Sequence, residues 1–479
     1  MFGRGVSGVT QLGSVLFLAR LLSPEEYGLV AMVTAVTGFA QIVVDLGTRD
    51  AIVQRDLITE GEVSALFWIN LAVGFVLAGL VAACGPAISA FYHEPRLTRL
   101  ALVSATTFIL AALGSQHQGL LRRVGMFRDL TIIETTATFV SICVAIGMAL
   151  AGFGYWALAV RPVSLFAFLA IGVWWRSRWV PGLPTFTPGV KDMIRFGMNL
   201  MGYSISDYSG RASQRVAIGR GLGARTLGFY QNALLIYDNV MDLMVSSLHS
   251  VAVSGLSKLR SQPEELKRSW GSALATVSFY AMPIYGILAV TGQDVVVLLL
   301  GKKWTNAGML LSIVALRGIP HVFIVSTGWL YVTAGQTRRW MHFGWFATVV
   351  QLLALICALP FGNRAVAAAY AGSMYLLFFP AANYAGRPLG IGMADVIRVL
   401  WRQTAGALAA AAVGLALRYL VWDQSNALPR SLLLLVVYLA IYLVLVVGIF
   451  GLLTPLRVTQ SMIGGFFPGR LAKANAPAS

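Results

Sequence analysis

Apolar residues along this chain come in long unbroken runs rather than in alternation, and polar residues gather in short stretches between them. A continuous run of about 20 apolar residues is what a helix needs to cross a bilayer. Fourteen such spans are expected: residues 2–21, 27–46, 63–83, 97–114, 130–151, 155–175 and 190–211, then 227–248, 270–291, 307–332, 341–359, 365–384, 401–421 and 431–453. A transmembrane β-barrel, which needs alternation, is excluded. No connector is long enough for a separate soluble domain, and the basic, Gly/Pro/Ala-rich stretch after Thr454 reads as a disordered tail. The first run lacks an A-x-A cleavage pattern and leads straight into a turn, so it reads as a retained span.

That turn is the most informative stretch. In Ala19-Arg20-Leu21-Leu22-Ser23-Pro24-Glu25-Glu26-Tyr27-Gly28 one apolar run ends and another begins. Ser23 is placed to cap the second helix. Pro24 suits its first turn, and Glu25 and Glu26 suit the positive end of its dipole. The pattern returns at Gly219–Tyr230, where Arg20, Leu22, Gly28 and Val53 fall on Arg220, Leu222, Gly228 and Val253 at one fixed offset. A constant offset in a shared helix–turn–helix context implies an internal duplication, a mark of secondary transporters.

Composition agrees: of 479 residues, 57% are hydrophobic and only 11% are charged. The net charge of +17 could point to nucleic acid, but the basic residues sit mostly in the short connectors. They therefore act as topology signals, and by the positive-inside rule both termini are cytoplasmic. The seventh connector departs from that rule, because Arg211, Arg215, Arg220 and Arg225 flank a loop expected to face outward. Cys84, Cys143 and Cys357 are too scattered for a disulfide framework or a metal site. Trp68, Tyr92, Trp174, Trp175, Trp179, Trp304 and Trp401 lie near span ends and read as an interfacial belt.

The hairpin LARLLSPEEYG, followed by DLGTRDAIVQ at Asp45–Gln54, GFGYWALAV at Gly152–Val160, TLGFYQNAL at Thr226–Leu234 and GKKWTNAGMLLSIVAL at Gly301–Leu316, resembles the polysaccharide transporter family. That family belongs to the superfamily of multidrug, oligosaccharidyl-lipid and polysaccharide exporters, and the nearest likeness is to colanic-acid and succinoglycan exporters. The resemblance implies an all-α fold with two pseudo-symmetric six-helix lobes, at 1–189 and 190–390, around a central cavity. Residues 391–479 would add two helices and the tail. It implies no cofactor and no enzymatic activity. The cargo would be an oligosaccharide repeat unit on an undecaprenyl pyrophosphate carrier, flipped across the bacterial inner membrane by alternating access, by a monomer. Family members usually carry a basic segment before the first span, whereas this chain reaches apolar sequence almost at once.

A flippase needs cations for the pyrophosphate. An ionisable residue inside a span costs about 2.5–3.5 kcal/mol on insertion scales, so such residues usually face a cavity or a partner. Ser204, Asp207, Arg211 and Arg215 form one helical stripe in span seven, and Gln11 belongs to the corresponding face of span one. Arg211 and Arg215 are the first candidates for the pyrophosphate, unless Asp207 pairs with Arg211 within the helix. Gln11, Gln214, Tyr203 and Tyr208 could contact sugars. Arg20 and Arg220 either bind substrate or cap their helices. Arg49 and Arg55 either collect the headgroup or signal topology. Asp238 and Asp242, one turn apart in span eight, balance the arginines or couple transport to protons or sodium. Gly318 and Pro320 should break span ten as a hinge near Arg317 and His321, and Arg161-Pro162 is a similar feature in span six. The competing functions are a multidrug cation antiporter of the same fold, a membrane polysaccharide polymerase or ligase, and a non-transporting scaffold. A cationic passage disfavours the first, short outward loops without paired carboxylates disfavour the second, and no docking domain supports the third.

Overall fold

The computed structural model describes residues 13–55, 57–260, 262–420 and 427–456, and these are all-helical apart from turns and short links. The helices in order are α1 (residues 13–21 of the described chain), α2 Pro24–Val43, α3 Thr48–Gln54, α4 Glu60–Tyr92, α5 Arg96–Arg123, α6 Phe127–Leu150 and α7 Trp156–Ser177. They continue with α8 Pro188–Lys258, α9 Pro263–Leu300, α10 Thr305–Ala315, α11 Gly318–Thr333, α12 Thr337–Ala358, α13 Asn363–Gly386, α14 Met393–Leu420 and α15 Ala427–Leu443, the last running into a π-helical turn Val444–Ile449.

Among the described residues, ten helices are long and apolar enough to cross a membrane, or eleven if α10 and α11, bent by 61°, form one span. The expected fourteen differ from this count for two reasons. Part of the first expected span lies outside the described residues. Spans seven and eight are joined in α8, a 71-residue helical path threaded with charged side chains and broken at Gly223. The helix surfaces fit a lipid environment, with Phe75, Val76, Leu376, Phe379, Val436 and Val444 all exposed.

Packing divides the chain at Gln231 rather than near residue 189. The first unit holds α1 to α7, α8 as far as Gln231, and Leu299–Lys303. Here α5 packs on α4 and α7, and α7 on α6. Span seven joins this unit because its Tyr208 seats against α2. The Tyr208 hydroxyl donates to the Thr34 carbonyl, its ring meets Phe39 edge-on at 4.9 Å, and it occupies the space beside Gly38 that any side chain there would fill.

The second unit holds Asn232–Leu298 and the chain from Trp304 onward. Here α13 packs against α10, α11 and α12, and α14 against α15. Buried Tyr438 and Tyr442 donate to the carbonyls of Ala407 and Phe279, each at 3.0 Å, and so fasten α15 onto its neighbours. Asp294 accepts an ion pair from Arg418 at 3.4 Å and a second from Arg430, all three side chains being nearly buried. Of the residues expected in an interfacial belt, Trp68, Trp175 and Trp401 are 44–79% exposed. Trp304 and Tyr92 are instead buried in the core.

Candidate functional site

The repeated turn folds as its residues dictate. Ser23 caps α2 in a full capping box with Glu26, its hydroxyl accepting from the Glu26 backbone N–H while the Glu26 carboxylate accepts from Ser23. At the equivalent place in the second copy the break falls on Gly223, whose φ of 79° is open to glycine and strained for other residues. The two copies then meet. A Cβ on Gly28 would lie 1.7 Å from the Ala224 carbonyl oxygen, and one on Gly228 would lie 1.8 Å from that of Pro24. The sequence offset that carries Gly28 to Gly228 also carries Pro24 to Ala224. The contact is therefore reciprocal, a local two-fold crossing of backbones that only glycine permits.

Earlier along α8 lie Arg211 and Arg215. Arg215 is half-buried and its guanidinium stands 6.0 Å from the centre of the Tyr208 ring. Arg211 is exposed one turn earlier, and Gln214 is buried. Gln11 and the side chains of Tyr203, Ser204 and Asp207 lie outside what the structure describes. Arg161, in α7, is half-buried within electrostatic range of Tyr27. Among the described residues no carboxylate is paired with Arg161 or Arg215.

The other candidate cations are engaged differently. Arg20 donates from Nε to the Leu299 carbonyl at 3.1 Å, and Lys303 donates to the Arg20 carbonyl at 2.8 Å, so the Arg20 side chain reaches the end of α9 rather than the end of its own helix. Arg220 is exposed and lies over the Phe91 ring at 5.8 Å. Arg49 pairs with Asp45 at 3.2 Å and donates to Gln118 at 3.3 Å. Arg55 donates to the carbonyls of Gly189 at 2.7 Å and Leu57 at 3.1 Å and faces Glu62 at 3.9 Å. It ties the end of α3 to the start of α8.

In the second unit the chain breaks between α10 and α11, where Gly318 and Pro320 begin the new helix. The Leu316 carbonyl freed by the break accepts from the Tyr375 hydroxyl at 2.7 Å. Arg317, buried at 3% exposure, lies between the rings of Tyr370 at 4.2 Å and Tyr237 at 4.7 Å. The Tyr237 hydroxyl is 2.9 Å from His321 Nδ1. Asp238 lies within electrostatic range of Tyr237 and Tyr285, while Asp242 is exposed. The LRGIPH motif flagged the break, but the tyrosines around Arg317 had no sequence signal, because they come from two other helices.

A family profile described as "Polysaccharide biosynthesis protein" matches residues 17–308. The teichuronic acid biosynthesis protein TuaB of Bacillus subtilis is 28% identical over 74% of this chain and 74% of its own length. The succinoglycan biosynthesis transport protein ExoT of Rhizobium meliloti is 26% identical over 64% of this chain and 62% of its own. Among solved structures, the lipid II flippase MurJ in an inward closed conformation superposes with a TM-score of 0.74 at 12% identity, covering 94% of this chain and 98% of that one. With the profile spanning more than half of its length, this multi-pass membrane chain belongs to the polysaccharide biosynthesis protein family.

Proposed function

We propose that this chain is a flippase that moves undecaprenyl-pyrophosphate-linked oligosaccharide repeat units across the bacterial inner membrane by alternating access, for exopolysaccharide or O-antigen assembly. The carrying observation is that Arg215 stands over the Tyr208 ring, with no carboxylate paired to it among the described residues. Such arginines keep their full charge inside apolar helices, and guanidinium forks match phosphate oxygens. An antiporter for cationic drugs needs the opposite sign. In this reading Arg211 and Arg215 hold the pyrophosphate, Gln11 and Gln214 contact sugar, and the lipid chain stays in the bilayer. The reading also takes the protein as a monomer with cytoplasmic termini, with Asp238 as the candidate for ion coupling and Gly318 and Pro320 as a hinge. The test replaces Arg211 and Arg215 with Gln in a strain that depends on this chain for its polymer. Loss of surface polymer, with lipid-linked units accumulating on the cytoplasmic leaflet and normal protein levels, is expected. Undiminished export would overturn the assignment.

A further inference from the structure

A second cationic site lies in the other unit, away from α8's arginines in sequence and built from different helices. The start of α9 and the start of α14 are clamped by Lys267 and Asp395 at 2.8 Å, with Arg398 3.9 Å from the same carboxylate. One turn further along, the facing residues become small. Gly271, Ser272 and Ala275 oppose Val399, and Leu452 and Thr454 close the side, leaving a recess of about 280 Å³. Its lining residues include three arginines, Arg268, Arg398 and Arg402, and two hydroxyl residues, Ser272 and Thr454. No carboxylate is among its lining residues; Asp395, beside it, pairs with Lys267 at 2.8 Å and stands 3.9 Å from Arg398. Arg402 is steadied over the Trp401 ring at 5.5 Å, and Trp401 is 44% exposed beside Phe450. Tryptophan in that position marks the bilayer interface, and the connectors at this end are the basic ones that the positive-inside rule places toward the cytoplasm.

We propose that this recess binds the headgroup of an anionic phospholipid of the phosphatidylglycerol type, its phosphodiester held by Arg268, Arg398 and Arg402 and its glycerol by Ser272 and Thr454. Three observations favour a bilayer lipid. The volume is at the lower limit for small-ligand pockets, too small for an oligosaccharide and ample for a phosphoglycerol. The floor is apolar where the acyl ester region would rest. The site lies between two membrane helices beside the exposed Trp401, and basic pockets between such helices recognise acidic lipids. Bound lipid would add a second link between α9 and α14 beside the Lys267–Asp395 clamp.

The test uses the purified full-length protein in mild detergent, with bound lipid counted by native mass spectrometry as phosphatidylglycerol or phosphatidylethanolamine is added. Wild type should retain phosphatidylglycerol selectively. The Arg268→Gln/Arg398→Gln/Arg402→Gln variant should bind it about 100-fold more weakly, roughly fivefold for each lost guanidinium. A Gly271→Leu variant, which plugs the recess and keeps all three charges, should lose it as well. A phosphatidylglycerol-dependent rise in unfolding temperature should vanish in the same two variants. Equal retention of phosphatidylethanolamine, undiminished binding by either variant, or displacement of phosphatidylglycerol by equimolar undecaprenyl phosphate would each overturn the proposal, the last by giving the recess to the carrier lipid.

Discussion

Replacing Gly28 with Ala tests the two-fold crossing most directly. The new Cβ would sit 1.7 Å from the Ala224 carbonyl oxygen, and contacts under 3.0 Å essentially never occur, so the two backbones must part. The obstacle is a helix carbonyl rather than a flexible side-chain end, so little relaxation is available. Overpacking of this kind costs about 1–3 kcal/mol. Parting the backbones also forfeits close Cα–H···O contacts worth about 0.5–1 kcal/mol each. Alanine returns at most about 1 kcal/mol through helix propensity. Gly28→Ala and Gly228→Ala should therefore each lower stability by about 1–3 kcal/mol, read as the shift of an SDS-unfolding midpoint on purified protein. Gly147→Ala, at a helical position with no atom near the added carbon, is the control and should be neutral or slightly stabilising. The double variant carries the sharper expectation. Once the helices separate for one methyl group they admit the other, so its loss should be well below the sum of the two single losses. Strict additivity, or a Gly28→Ala protein as stable as Gly147→Ala, would refute the shared crossing.

Two further substitutions separate structural from transporting charges. Asp294→Asn leaves Arg418 and Arg430, at 14% and 11% side-chain exposure, without their common carboxylate, and should cost about 3–5 kcal/mol in the same unfolding assay. A loss under 1 kcal/mol would mean that the arginines repair themselves with solvent. Arg55→Gln breaks the hydrogen bonds to Gly189 and Leu57 and should cost about 1–2 kcal/mol, with export falling only as far as protein level falls. Export abolished at wild-type stability and expression would instead put Arg55 in the headgroup path.

Some of this architecture was legible because its causes are local. Ser23, Pro24 and Glu26 fix a turn through bonds spanning three residues, and the folded chain closes that capping box as the motif implies. Apolar run length placed α2, α4 to α7 and α9 to α15 because each helix had to cover a bilayer, although most extend beyond the expected span at one or both ends. The duplicated turn was visible as a fixed offset, and the same offset reappears as the geometry of the Gly28–Gly228 contact. What stayed hidden depends on distant partners. Nothing near Asp294 announces Arg418 or Arg430, and nothing in LRGIPH announces Tyr237 and Tyr370. The short helix α3 was read as a connector because seven residues give too little periodicity to count. The packing division at Gln231 follows contacts between distant segments, such as Tyr208 on α2, which no local pattern announces.

The arginines fall into two groups by the partners they keep, and the difference bears on transport. Arg55, Arg123, Arg418 and Arg430 spend their donors on backbone carbonyls or carboxylates, so their charge is consumed in holding segments together. Arg215 leans on a tyrosine, Tyr208. A carboxylate partner would lower the cost of placing a guanidinium among apolar helices, but it would cancel the charge that a phosphorylated headgroup needs. A tyrosine face stabilises the cation by about 0.5–2 kcal/mol, against an insertion cost near 3 kcal/mol, and cancels none of it. The residual cost remains in the empty protein and is relieved when an anion arrives. Under the proposed function, a site built this way would favour a pyrophosphate over a neutral glycan.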